Sequence, residues 1–170
     1  MIDLNFKQKL NNVKVLMFDV DGVFTDGSIT LMENGDQIRI FNIKDGYAVQ
    51  LAIKAGVKIA VITGARSNAV KQRLNYLGIE DVYLGIHDKL EKYEDYKASY
   101  GYTDEDILYM GDDLPDYEIM KRVTVPVCPS DAVHEIQNVS IYVSHIAGGK
   151  GCVRDVIEQY MRLKGIWMSE

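Results

Sequence analysis

Short apolar runs that end on a carboxylate, a hydroxyl or a glycine alternate along this chain with stretches whose apolar residues recur at helical spacing. Few architectures accept that order. Residues 14–20 (KVLMFDV), 57–63 (VKIAVIT) and 107–110 (ILYM) read as buried strands, and 82–84, 124–127 and 141–143 add shorter ones. Between them the spacing predicts helices over 45–55, 67–77, 88–100, 114–123 and 152–163, the first two closed by Gly56 and Gly78. Strands and helices in alternation give a doubly wound α/β fold, a parallel sheet with helices on both faces. Such a sheet binds its ligand at the carboxyl ends of its strands. The chemistry is therefore expected at 19–21, 63–64 and 111–113.

One segment departs from the alternation. The β-rich runs 28–32 and 37–41 flank Asn34-Gly35, which predicts a hairpin over about 28–42 with a type I′ turn, positive φ at both central residues. Its Ile29, Leu31, Ile38 and Ile40 are costly to expose on an isolated two-stranded ribbon. Hairpins of several subunits packing together, with a neighbour closing each site, would solve that problem.

Composition narrows the function classes. With 170 residues, 47% hydrophobic and 26% charged, the chain reads as one globular domain over 1–170 with a core that needs no staples. The net charge is −6 and its cations are scattered, which argues against nucleic acid and against a polybasic membrane patch. The sequence shows no apolar run long enough to span a bilayer and no signal-peptide pattern, and Cys128 and Cys152 have no metal-ligand spacing. A reducing cytoplasm is the expected compartment. The three histidines share no ligand spacing, and the tyrosines at 93, 96, 100, 102 and 109 read as core or interface surface.

In an extended segment residues two apart point to one side, so Asp19 and Asp21 of DVDG converge at a strand end. A second acidic group, Asp112-Asp113-Leu114-Pro115-Asp116, follows another strand. Each alone could be a turn or a helix cap. Two acidic strand ends on one sheet edge repel unless a cation compensates them, and oxygen-only ligands suit Mg²⁺. Thr63-Gly64 after a third strand could hold an anion's oxygen with a hydroxyl and backbone N–H groups. Lys89, by default a surface residue at a helix start, gains meaning as the cation of an otherwise negative site.

DVDGVFTDG, VITGA, Lys89 and YMGDDLPD, in that order, resemble the haloacid-dehalogenase superfamily of phosphatases. Within it, FNIKDG at 41–46 and GGKGCVRD at 148–155 make the chain similar to the 3-deoxy-D-manno-octulosonate 8-phosphate phosphatases. The resemblance implies Asp19 as nucleophile, Asp21 as acid and base, and Thr63 and Lys89 on the transferring oxygens. It also implies Mg²⁺ on Asp19, the Asp21 carbonyl and Asp112, with Asp113 and Asp116 orienting the ligands or Lys89. It implies a homotetramer, and substrate contacts from Lys44, Asp45, Gly64, Arg66, Arg73 and Arg154. Larger relatives carry a cap domain, whereas the hairpin and one helix fill the stretch between Asp19 and Thr63 here. Ala65 stands where the octulosonate enzymes commonly have arginine and nine-carbon sugar-acid enzymes an acid, so a nine-carbon 9-phosphate stays open as a substrate. A non-catalytic regulatory module of the same fold, and a phospho-accepting receiver, are the competing readings.

Overall fold

The computed structural model describes residues 4–168. A six-stranded parallel sheet runs through it. Its strands are β1 (Val15–Phe18), β4 (Lys58–Ile62), β5 (Asp81–Tyr83), β6 (Ile107–Met110), β7 (Val125–Cys128) and β8 (Tyr142–Val143), in the order β5-β4-β1-β6-β7-β8. The central strand β1 is wholly buried, as a strand covered on both faces must be. Its Leu16 and Phe18 point to one core and its Val15 and Met17 to the other.

The first core is closed by α1 (Leu4–Asn12), α2 (Ile43–Lys54), α3 (Asn68–Tyr76) and α7 (Cys152–Leu163), which supply Phe6, Val49, Leu74 and Val156. The second is closed by α4 (Lys89–Tyr100), α5 (Tyr117–Met120) and α6 (His134–Val139), through Tyr93, Ile119 and Ile136. The doubly wound expectation therefore holds, with three differences. The polar helix α1 and the six-residue α6, with Ile136 as its buried residue, carry too little apolar periodicity to be foreseen. The helix expected over 114–123 is a 3₁₀ turn at Leu114–Asp116 followed by the short α5. Pro115 sits at the start of that turn, where it contributes no N–H.

The third difference is the hairpin, whose pairing is limited to β2 (Thr30–Leu31) and β3 (Gln37–Ile38). Its turn is not type I′. Gly35 has φ +89° and donates to the Met32 carbonyl at 2.9 Å, but Asn34 keeps a negative φ. This is the three-residue loop of a type I turn followed by a left-handed glycine. Asn34 tightens it from the side, accepting from the Asp36 N–H at 3.0 Å and donating to its carboxylate at 2.8 Å.

Register places the chemistry. Phe18 lies opposite Val61 on β4 and Met110 on β6, so three neighbouring strands end side by side, and the Asp19 N–H donates to the Met110 carbonyl. Asp19, Thr63 and Asp112 thus leave the sheet within one strip of its carboxyl edge.

Candidate active site

The residues after β1, β4 and β6 meet Lys89 in a cavity of about 370 Å³, lined by Asp19, Asp21, Thr63, Lys89, Asp112 and Asp113 among others. Lys89 is the first residue of α4, after Asp88, whose carboxylate caps the helix by accepting from the Glu91 N–H at 2.9 Å. A helix start repels a cation. Two carboxylates overcome that here: the Lys89 ammonium is 2.7 Å from Asp19 Oδ2 and 2.7 Å from Asp116 Oδ1. Burial alone would lower the Lys89 pKa, but Asp19 and Asp116 outweigh it and hold it above the ordinary lysine value.

Asp116 accepts from three donors. Besides Lys89, its Oδ1 accepts from the Tyr109 hydroxyl at 2.6 Å, and its Oδ2 from the Asp112 N–H at 3.1 Å. It therefore holds both the lysine and the Asp112 backbone in place. Tyr109, expected in the core or at an interface, is a fully buried part of that support. Asp113 does something else: its carboxylate accepts from the Leu114 N–H at 2.8 Å and caps the following 3₁₀ turn.

Asp19, Asp112 and Asp116 bring carboxylate oxygens within 4.8 Å of one another. One ammonium facing three carboxylates leaves two negative charges uncompensated. The electrostatics register this: burial, then repulsion from Asp116, pushes Asp19 up to about 7, with Lys89 opposing. Burial, then Asp19, Asp116 and Asp113, pushes Asp112 up to about 8. Asp116 is fully buried and does not line the cavity, so Asp19 and Asp112 are the carboxylates of the three that face it. A hard divalent ion with oxygen ligands fits both the charge and the donor set. Gly22 belongs to the same fit. It has φ +82°, and a Cβ there would overlap the Asp112 carboxylate. Only glycine lets that carboxylate lie against the loop after β1.

Asp21 corrects one expectation. It opens onto the same cavity as Asp19, but its carboxylate is not in the acidic cluster. It is held instead by Arg39 of the hairpin, Nε to Oδ1 at 2.6 Å and Nη2 to Oδ2 at 3.1 Å. Arg39 escaped sequence reasoning, although Ile38-Arg39-Ile40 carries a signal: the strand turns the arginine inward and both isoleucines outward, the reverse of a self-sufficient ribbon.

Asp21, Gly64 and Ala65 also border a second, larger cavity of about 930 Å³ between the hairpin and the start of α3. Arg39, Arg66 and Arg73 line it. Arg66 is held by His87, Nη2 to Nε2 at 2.7 Å. The Thr63 hydroxyl, buried at the end of β4, accepts from the Ala65 N–H at 3.2 Å.

Three expected substrate contacts lie away from both cavities. Lys44 is exposed in the first turn of α2. Asp45 is buried on the inner face of that helix, where it accepts from the Arg154 N–H at 2.8 Å and so ties α2 to the start of α7; burial pushes its pKa up to about 6. The Arg154 guanidinium lies 5.5 Å over the Trp167 ring, with Glu158 at 3.6 Å. The glycine-rich tail packs on its own chain: the Gly149 N–H donates to the Val23 carbonyl at 3.0 Å, and a Cβ on Gly148 would overlap the Gly22 carbonyl. Cys128 and Cys152 are free and buried, and burial raises both thiols, so neither is a poised nucleophile.

A strand-end aspartate pair, a threonine, a buried lysine and an acidic strand end on one doubly wound parallel sheet are the arrangement of the haloacid-dehalogenase class. No family model matches the chain. It is 36% identical over 157 residues to the 3-deoxy-D-manno-octulosonate 8-phosphate phosphatase KdsC of Salmonella typhi, covering 92% of this chain and 84% of the relative. The crystal structure of the Yersinia pestis phosphatase of that name superposes with a TM-score of 0.92 at 34% identity, over 96% of this chain and 88% of that one. The Moraxella catarrhalis phosphatase, solved with magnesium ion, phosphate ion and KDO, superposes at 0.89 with 30% identity, over 93% and 91%. The chain belongs to the 3-deoxy-D-manno-octulosonate 8-phosphate phosphatase family. Among the described residues no helix is long and apolar enough to cross a membrane.

Proposed function

We propose that this chain is a Mg²⁺-dependent phosphatase that hydrolyses 3-deoxy-D-manno-octulosonate 8-phosphate to the free sugar acid and phosphate. The observation that carries the reading is the excess negative charge at Asp19, Asp112 and Asp116 around one buried lysine, at the edge where three strands end.

In this reading Asp19 is the nucleophile, and its carboxylate takes the phosphoryl group as an aspartyl-phosphate. The Lys89 ammonium and the Thr63 hydroxyl hold the transferring oxygens, in a reaction that is mostly positioning and charge stabilisation. Asp21 gives a proton to the leaving sugar oxygen and takes one from the water that clears the intermediate. Asp19, Asp112 and the Asp21 carbonyl would hold Mg²⁺, which supplies the positive charge that lets a carboxylate approach a phosphate dianion. Asp116 and Tyr109 keep Lys89 and Asp112 in place. The sugar extends into the larger cavity past Gly64 and Ala65, where Arg66 and Arg73 offer cations to an acid.

The same reading makes the chain one capless domain whose hairpin stands in for a cap. Leu31 and Ile40 are 71% and 81% exposed, and Ile29, Ile38, Ile43 and Tyr47 are exposed with them. Such a patch favours burial against other subunits, in a homotetramer whose neighbours close each site. Phosphate release from eight- and nine-carbon sugar-acid phosphates, with Mg²⁺ and with EDTA, tests the reading. The eight-carbon substrate should turn over fastest and EDTA should abolish it. Turnover of the nine-carbon 9-phosphate alone would move the assignment to that substrate, and no metal-dependent release from any would leave a non-catalytic module.

A further inference from the structure

Both oxygens of the Asp21 carboxylate are engaged by one guanidinium, in the two-point fork that arginine makes with carboxylates. A carboxylate so held spends a lone pair of each oxygen on the arginine, which fixes the plane of the group and competes with any leaving group for it. Yet Asp21 shares with Gly64 and Ala65 the wall common to the two cavities, so a substrate with its phosphate in the smaller one and its sugar in the larger passes between those two residues and this fork. The Arg39 side chain is 7% exposed and has given up its water, whereas that of Asp21 is 36% exposed.

Resting on the phosphatase reading above, we propose that Arg39 is a specificity-determining residue that exchanges carboxylates: it holds Asp21 in the substrate-free enzyme and passes to the substrate's own carboxylate when a sugar acid enters, which frees Asp21 to face the leaving oxygen.

The exchange is balanced. The guanidinium keeps one carboxylate partner in one fork geometry throughout, so no buried cation is stranded. Asp21, which loses its partner, is open enough to be met by water, and from solvent it takes the proton that it then gives to the leaving oxygen. Arg39 also faces the larger cavity beside Arg66 and Arg73, so an entering acid is drawn to the wall where the fork lies. Arg66 and Arg73 do not occupy Asp21; of the three, Arg39 alone couples recognition of an acid to release of the group that protonates the leaving oxygen. A phosphorylated sugar without a carboxylate would bind and leave the fork shut.

The test compares two substrates with alkoxide leaving groups, 3-deoxy-D-manno-octulosonate 8-phosphate and glucose 6-phosphate, in wild type, Arg39→Gln and Arg39→Lys with saturating Mg²⁺. In Arg39→Gln, kcat/KM on the sugar acid should fall by roughly 100-fold, the scale for losing one buried charge-assisted pair. kcat on glucose 6-phosphate should rise several-fold, because Asp21 is no longer held. Arg39→Lys, which cannot form the fork, should fall between wild type and Arg39→Gln on both counts, and it carries the comparison should Arg39→Gln fail to fold. Equal losses on both substrates, or no change on either, would overturn the exchange while leaving the phosphatase reading intact. Wild type inactive on both would overturn the reading itself.

Discussion

Asp19, Lys89, Asp112 and Asp116 are anchored by buried strands and by three hydrogen bonds that Asp116 accepts, whereas Arg39 rides on a ribbon of two residue pairs with its isoleucines in solvent. The cluster's geometry is set by the sheet and costs nothing to reorganise at the moment of reaction, as charge stabilisation requires. The hairpin's geometry depends on what covers it. On the function proposed above, that difference divides the labour, with phosphoryl chemistry on the sheet edge and the choice of sugar on a ribbon that the proposed neighbouring subunits would complete.

The largest effect expected on the sheet-edge side is from Asp19→Asn. It should cut kcat on the order of 10⁴-fold or more, since it removes the group that takes the phosphoryl. The metal-free protein should melt no earlier than wild type, because the substitution removes one of three repelling carboxylates and leaves Asp116 on Lys89. Wild-type turnover in this variant would remove the nucleophile assignment.

Lys89→Met should be worse for the fold. It strands Asp19 and Asp116 without their buried ammonium, a loss of about 3–5 kcal/mol for a broken buried pair. Denaturant unfolding would show it, and a wild-type midpoint would mean that the cluster is not the anchored element described here.

The opposite pattern is expected at the hairpin. Leu31→Asp with Ile40→Asp should leave thermal unfolding of the protomer near wild type, since both side chains are already in water. Light scattering should report a smaller particle, and kcat/KM should drop about tenfold as sites lose their covering neighbours. A monomeric wild type with full activity would break the comparison at this point.

The smallest effect is a shift in melting temperature. Asp19 and Asp112 have folded pKa values raised to about 7 and about 8, above the ordinary carboxylate value. A raised acid stabilises the fold fully at low pH, and that contribution is lost as pH climbs through its folded value. Bound Mg²⁺ offsets the repulsion that appears there. The gain in Tm on adding Mg²⁺ should therefore grow by a few degrees between about pH 5 and about pH 8. A gain independent of pH would mean that the ion binds elsewhere.

Much of this was legible in the sequence because the site sits on the fold's most regular part. KVLMFDV, VKIAVIT and ILYM each announce a buried strand, and a parallel sheet puts whatever follows such strands on one edge, so Asp19, Thr63 and Asp112 could be grouped from order alone. Lys89 carried a fainter mark, a cation at a helix start, where the dipole disfavours it. What stayed hidden depended on side chains chosen by tertiary contact. Asp45 was expected at the first position of a helix and among the substrate contacts, but α2 begins two residues earlier at Ile43 and carries it inward, where it accepts from the Arg154 N–H in the first turn of α7. Asp21 was paired with Asp19 by strand spacing, and nothing local reveals an arginine eighteen residues on that turns it aside. The Asn34-Gly35 dipeptide gave the right hairpin and the wrong turn, because Glu33 and Asn34 together make the bend and only Gly35 needs positive φ.

The most direct test is a crystal structure of the protein with Mg²⁺ and beryllium fluoride, a mimic of the phosphoryl group. The fluoride adduct should sit on an Asp19 carboxylate oxygen with the Thr63 hydroxyl and Lys89 ammonium on its fluorines, and the ion should touch Asp19 and Asp112. An adduct on another residue, or an ion away from those two carboxylates, would contradict the account.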